Sequence, residues 1–310
     1  MLLPRQGWAD ALIELGEKNP KVVVLDADLS KSTLTCQFRD KFPKKFFNIG
    51  IAEQNMMNVA GGMSLTGLIP FVTTYGVFVS GRAWEQIRTT VCYGNLNVKI
   101  GGAHGGISVG PDGATHQALE EIAIMRVLPH MTVIVPADYY ETKKAVLASM
   151  RIDGPVYIRF GREKVPVVSQ PDDEFVVGKA KIMKEGADLS IIACGAMVVE
   201  ALEAAMELLK EGIKAEVINL HTIKPIDSEA IISSARKTGA VVTAEEHQLF
   251  GGMGSAVAEV LVQNVPVPVE MVGIDDTFGE SGQPRELMEK YGITAKEIIE
   301  KARKVMGRKK

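Results

Sequence analysis

Residues 97–121 read NVKIGGAHGGISVGPDGATHQALEE, and this stretch sets the class of fold. Its opening, NVKIGGAH, is a short apolar run continuous enough to be buried on both faces, as strands of a parallel sheet are. A glycine-rich connection follows, and HQALEEIAIMRVL (116–128) then carries a helical pattern. Strand, loop and helix of this size make half of a crossover unit. The order repeats on either side. KVVVLDAD (21–28), LIPFVTTY (68–75), TVIVPAD (132–138) and PVYIRFG (155–161) read as further buried strands. GRAWEQIRTTVCYG (81–94) and YYETKKAVLASMR (139–151) read as helices between them. Strands alternating with such helices predict a mostly parallel sheet.

The pattern pauses in EKVPVVSQPDDEFVVGKAKI (163–182), where proline, glycine and mixed charge mark a connection. It then restarts with strands DLSIIACG, KAEVINL, GAVVTAEEH and VPVEMVGI and with amphipathic helices over 197–212, 228–239 and 253–264. The expected architecture is α/β, with two three-layer α/β/α domains. Residues 1–165 form a parallel domain, 166–180 a linker, and 181–310 a smaller, mostly parallel domain. The last segment, ITAKEIIEKARKVMGRKK, starts at a Thr N-cap candidate and ends in a basic tail.

Composition narrows the function. The chain has 310 residues, 46% hydrophobic and 24% charged, with a formal charge of -3. That balance gives no overall attraction for nucleic acid or a membrane surface, so an anionic ligand needs a local cluster of cations. Cys36, Cys92 and Cys194 have no metal-like spacing and suit a reducing compartment. There is no signal-peptide core and no apolar run of the ~18 residues a membrane span requires. A cytoplasmic protein is expected. G-x-x-x-x-G-K-[ST], H-E-x-x-H and paired-Cys motifs are absent, which argues against a P-loop nucleotidase and against a catalytic zinc. No metal ligands are assigned. In FGGMGSAVAEV (250–260) the glycines read as a tight helix entry rather than a dinucleotide loop.

Several polar residues stand out against apolar surroundings. Glu53 lies in FFNIGIAEQNMMNVAGGMSLTG (46–67), where a carboxylate suits a helix start but the neighbours suit a core. His104, Asp112 and His116 share one glycine-rich loop, and Arg159 sits inside an apolar strand. Tyr75, Phe78 and Arg82 fall where a strand hands over to a helix. In a parallel sheet ligands gather outside the carboxyl ends of the strands. All of these residues lie at or just past such ends, so they can converge on one crevice.

The order and spacing of these segments resemble the C-terminal half of transketolase, across essentially the whole chain. The markers are DADLSKST (26–33), IGIAEQNM (49–56), the aromatic turn before RAWEQIR, AHGGISVGPDGATHQALE (103–120), VYIRFGR (156–162), HTIKPID (221–227) and EEHQLFGGMGSAV (245–257). The resemblance implies a pyrimidine-binding domain followed by a transketolase C-terminal domain, with thiamine diphosphate and Mg2+ as cofactors. Glu53 matches the acid that hydrogen-bonds N1′ of the aminopyrimidine, whose exocyclic nitrogen takes the proton from C2 of the thiazolium. Phe78 and Tyr75 match aromatics packed on that ring, Asp28 a carboxylate close to the cofactor, and His116 a side chain near the reacting carbon. Arg5, Ser32, Arg82, His104 and Arg159 match positions lining the sugar-phosphate channel, and Asp112 the acid that reads the C2 hydroxyl.

One feature of full-length transketolases is missing, the G-D-G…N motif that holds Mg2+ and the diphosphate. The resemblance therefore implies an N-terminal partner subunit carrying that site, self-association into a dimer of heterodimers, and no activity without the partner. The implied reaction is transfer of a two-carbon ketol unit between phosphorylated ketoses and aldoses. The alternatives are a 1-deoxyxylulose-5-phosphate synthase-like subunit and a non-catalytic sugar-phosphate-binding chain. HTIKPID and IRFGR favour transketolase over the synthase, and the intact Glu53 and His116 argue against a non-catalytic chain. The second domain is expected to serve packing and dimer support.

Overall fold

The computed structural model describes residues 1–309. Two sheets organise it, and both are mostly parallel. The first takes strands β1 (Val22–Asp26), β2 (Phe46–Asn48), β3 (Ile69–Tyr75), β4 (Lys99–Ala103), β5 (Thr132–Ile134) and β6 (Val156–Phe160). The second takes β7 (Lys181–Lys184), β8 (Leu189–Ala193), β9 (Ala215–Asn219), β11 (Val241–Gln248) and β12 (Val269–Ile274). The remaining strand, β10 (Thr222–Lys224), follows β9 in sequence but joins the first sheet. The orders are β10-β5-β6-β4-β3-β1-β2 and β12-β11-β8-β9-β7, and only β10 and the edge strand β7 run antiparallel.

Burial explains the strand pattern. Every residue of β1, β4, β6, β8 and β9 is buried, the signature of strands covered on both faces. One face of the first sheet packs under the Pro4–Lys18 and Tyr139–Ser149 helices, where Trp8 stacks on Phe160 at 5.1 Å. The other face is covered by the Glu53–Leu65 helix, with Met56, Met57 and Ala60 in a core shared with the second domain. Two glycines in β4 admit this close packing. A Cβ on Gly101 would lie 2.5 Å from Trp8, and one on Gly102 2.1 Å from the Tyr157 hydroxyl. No helix among the described residues is long and apolar enough to cross a membrane.

The structure departs from the sequence reading in three places. The division between 1–165 and 181–310 is crossed by β10, which pairs with β5 although it lies past the linker, inside HTIKPID. Three residues are too few to show a period, so this pairing leaves no periodic trace. The helix expected over 116–128 spans only Glu121–Arg126. The Ala118 carbonyl, which a longer helix would use, accepts the Gly106 N–H instead at 2.8 Å. Residues 81–94 are helical but interrupted by wide π-type turns over Phe78–Arg82 and Ile87–Cys92, and such turns re-aim side chains at functional sites. The linker is also tied down. Asp138 caps the Tyr139–Ser149 helix through the Glu141 N–H and accepts the Val168 and Ser169 N–H groups.

Candidate active site

The carboxyl ends of β6, β4, β3, β1 and β2 lie side by side in the first sheet, and the segments that leave them carry the candidate residues. After β1, the buried Asp26 carboxylate accepts the Leu29 N–H (2.6 Å) and the Thr35 hydroxyl (2.8 Å), which fixes the turn. Asp28 follows in a left-handed conformation, φ +64°, and is exposed. Its N–H donates to Asn48 Oδ1 (3.1 Å) and its carboxylate accepts from Asn48 Nδ2 (3.0 Å). Asn48 also accepts the Gly50 N–H, so one amide joins the β1 turn to the loop that leads into Glu53.

Glu53 is the first residue of its helix and is only 1% exposed. The helix start therefore accounts for its position but not for its burial, which follows from the apolar neighbours. Its carboxylate accepts from Arg82 Nη1 at 3.2 Å, and the Arg82 guanidinium lies over the Phe78 ring at 5.0 Å. Arg82 is thus placed with the carboxylate and the aromatic ring. From Phe78 the rings continue inward. Tyr75 is parallel to Phe78 at 5.9 Å and stacks on His104 at 4.0 Å, while His116 meets Phe78 edge-on at 5.2 Å. His116 Nδ1 lies 2.8 Å from the Thr115 hydroxyl.

His104 closes the inner end. It is buried, has φ +58°, and its Nδ1 has no partner. Burial first, then the charges of Arg5, Arg162 and His116, push its pKa down to about 3. Arg5 donates to the Ser32 carbonyl at 2.8 Å, so Arg5 and Ser32 lie together. Its pKa is lowered by burial and by the nearby Arg162. Arg162 donates to the Val109 carbonyl (3.0 Å) and to Asp112 (3.1 Å). Arg5, Arg162 and His104 thus cluster beside Asp112, with buried donors to spare, since Arg5 Nε is also without a partner.

Arg159 requires a correction. It was expected at the substrate anion, but its side chain is buried, Nε pairs with Glu121 and Nη2 donates to the Glu246 carbonyl at 2.6 Å. Burial works against its charge, yet Glu121 and Glu246 outweigh it and hold its pKa above the ordinary arginine range. A guanidinium so committed is a structural cation. Arg162, three residues on, was missed. The signal was present in VYIRFGR: Arg159 falls within the strand, whereas Arg162 lies past its carboxyl end, where ligands gather. Glu121 and Glu246, which flank Arg159, were missed as well.

The His104 shift has a measurable consequence. In an NMR titration the imidazole should stay neutral from about pH 5 to 8, and a midpoint near 6.5 would contradict the geometry. Its folded pKa lies below the unfolded value of 6.5, so the neutral ring's stabilisation is present above 6.5 and lost as pH falls toward 3. At neutral pH His104 therefore offers one N–H, and the positive charge of the cluster comes from Arg5 and Arg162.

Two α/β domains with mostly parallel seven- and five-stranded sheets make up the fold of the transketolases. Residues 3–168 match the transketolase pyrimidine-binding domain, and residues 178–298 the transketolase C-terminal domain. The chain belongs to the transketolase family, as a subunit of the split transketolase-like kind. It is 48% identical over 307 residues to a putative transketolase C-terminal section of Methanocaldococcus jannaschii, covering 97% of this chain and 96% of that one. It is 45% identical over 305 residues to a 6-deoxy-6-sulfo-D-fructose transketolase subunit of Clostridium sp. (strain MSTE9), covering 98% and 95%. A solved structure described as a split gene transketolase, inactive beta4 tetramer, superposes with a TM-score of 0.94 at 52% identity over 100% of both chains.

Proposed function

We propose that the chain is the C-terminal subunit of a split transketolase that moves a two-carbon ketol unit between phosphorylated ketoses and aldoses in the cytoplasm. The observation that carries this reading is the unbroken series of contacts from Glu53 through Arg82, Phe78 and Tyr75 to His104, beside which Arg5 and Arg162 stand. The residues fit an aminopyrimidine, because Phe78 offers a flat face and Glu53 a buried acceptor whose one protein partner, Arg82, is half-exposed. Among the described residues no group of three His, Cys, Asp or Glu side chains is placed to hold a metal ion. The reading assigns Mg2+ and the diphosphate to an N-terminal partner subunit, in a dimer of heterodimers.

Thiamine diphosphate, when bound, supplies a carbon nucleophile at C2 of its thiazolium. Glu53 then holds or shares a proton at N1′, and Phe78 with Tyr75 behind it orients the ring. The Arg82 guanidinium lies over the Phe78 ring, so a ring stacked on that face would have to displace it. Asp28, held by Asn48, stands at the cofactor end in this reading. His116, edge-on to Phe78, handles protons near the reacting carbon in this reading. Arg5 and Arg162 meet the sugar's anionic end, with Ser32 beside Arg5 and neutral His104 as a further donor. Asp112, turned toward Arg162, accepts from a sugar hydroxyl, and an inverted hydroxyl leaves it unpaired.

The test is reconstitution. The lone chain should show no ketol transfer, and addition of an N-terminal subunit carrying the diphosphate site should produce it. Turnover by the lone chain would overturn the shared-site reading. The Arg5–Arg162 pair suits any compact anionic end group, so the assay includes phosphorylated sugars and a 6-sulfo-sugar side by side. No transfer from either by the mixture would overturn the transketolase reading itself.

A further inference from the structure

We infer that Glu246, in the second domain, is a positioning residue for the sugar-phosphate end of the candidate site, an inference that rests on the function proposed above. The loop after β4 carries His104 and Asp112, and its backbone is held in conformations that few residues adopt. His104 is at φ +58°, which strains a residue with a side chain, and Gly106 at φ +95°, which glycine adopts without strain. Strained backbone of this kind persists only where its surroundings over-determine it. The restraint comes from the other domain. Glu246, at 3% exposure near the end of β11, accepts the Ser108 N–H at 2.6 Å across 138 residues of sequence. Its carboxylate lies so close over Gly106 that a Cβ there would stand 2.2 Å from it.

The same residue fixes the loop from beneath. Its backbone carbonyl accepts from Arg159, and the Arg159 side chain packs directly under Gly105, where a Cβ would meet Nε at 2.5 Å. Gln117 ties the far end of the loop, donating to the carbonyls of Ile107 (3.2 Å) and of Glu280 (2.9 Å). His104 and the Arg162–Asp112 pair thus hang between two anchors from the second domain. Glu246 touches neither the substrate anion nor the reacting atoms. Its effect runs through the Ser108 N–H and Gly106 to the angle at which His104 faces Arg5 and Arg162.

Glu246→Gln keeps an oxygen for the Ser108 N–H, whereas Glu246→Ala removes it. Ribose 5-phosphate titrated onto the full-length chain by NMR should bind about ten-fold more weakly to the Ala variant, the scale of one charge-assisted hydrogen bond. Binding to the Gln variant should stay within about two-fold of wild type, with the thermal midpoint lowered in the Ala variant, where the Ser108 N–H loses its acceptor, and held in the Gln variant. In the reconstituted pair the same pattern should appear in KM for the phosphorylated sugar, with kcat held. Wild-type affinity in the Ala variant would overturn the inference. So would an equal loss in both variants together with a midpoint lowered in both, since that is a merely structural effect. Failure of the proposed function is distinguishable, because it appears as no ketol transfer by the wild-type mixture whatever the ribose 5-phosphate affinities.

Discussion

Glu53→Gln in the reconstituted pair is expected to lose at least a hundred-fold in turnover while the chain folds normally. General acid–base groups contribute roughly 10²–10⁴ in rate. Glutamine fills the same volume and can still accept from Arg82, so packing around Met56 and Met57 is preserved. What it cannot do is give and take a proton. Because Glu53 is 1% exposed, bulk solvent has little access to act in its stead. The steady-state rate of ketol transfer checks this, with circular dichroism and the thermal midpoint as the fold control. A rate within ten-fold of wild type would remove Glu53 from the chemistry.

The second large effect separates two arginines that lie three residues apart. Arg159→Ala leaves the buried Glu121 carboxylate and the Glu246 carbonyl without their donor, and breaking a buried pair by removing one partner costs about 3–5 kcal/mol. Both pair members are almost fully buried, at 5% and 2% side-chain exposure, so solvent offers little relief. The expected result is a large fall in the denaturation midpoint, or failure to fold. Arg162→Ala should leave the midpoint nearly unchanged, because Arg162 is 30% exposed and bonds to a partly exposed Asp112. Its cost should fall on KM for the phosphorylated sugar, by roughly ten- to a hundred-fold for a lost charged hydrogen bond. If Arg159→Ala folded with wild-type stability and raised KM alone, the two assignments would have to be exchanged.

The sequence carried the fold where burial leaves a periodic trace. Strands buried on both faces read as unbroken apolar runs, and β1, β4 and β6 were found on that basis. β10 was not, because three residues beside a proline carry no period and their partner β5 lies about ninety residues earlier. The helix over 116–128 was overread because its apolar spacing is real while the Ala118 and Leu119 carbonyls are spent on the Gly106 and Gln248 N–H groups. The grouping of Tyr75, Phe78 and His104 was legible because they fall at or just past the carboxyl ends of neighbouring parallel strands. Which arginine stands beside them was misjudged: VYIRFGR puts Arg159 inside the strand and Arg162 past its end, but the partners that commit Arg159, Glu121 and Glu246, come from elsewhere in the chain. Glu246 itself could not be read, as its contact with Ser108 crosses from one domain to the other.

The excursion of β10 has a consequence for how this chain can be divided. The linker at 166–180 looks like a natural place to cut, yet a fragment ending there takes with it a sheet whose β5 edge has lost its neighbour. Val133 and Ile134 would then stand at an unpaired border, open to pairing with another copy. The half that bears Glu53 and His104 is therefore not a portable module. Its sheet is completed by the half that follows it, and any smaller working unit has to keep residues 222–224.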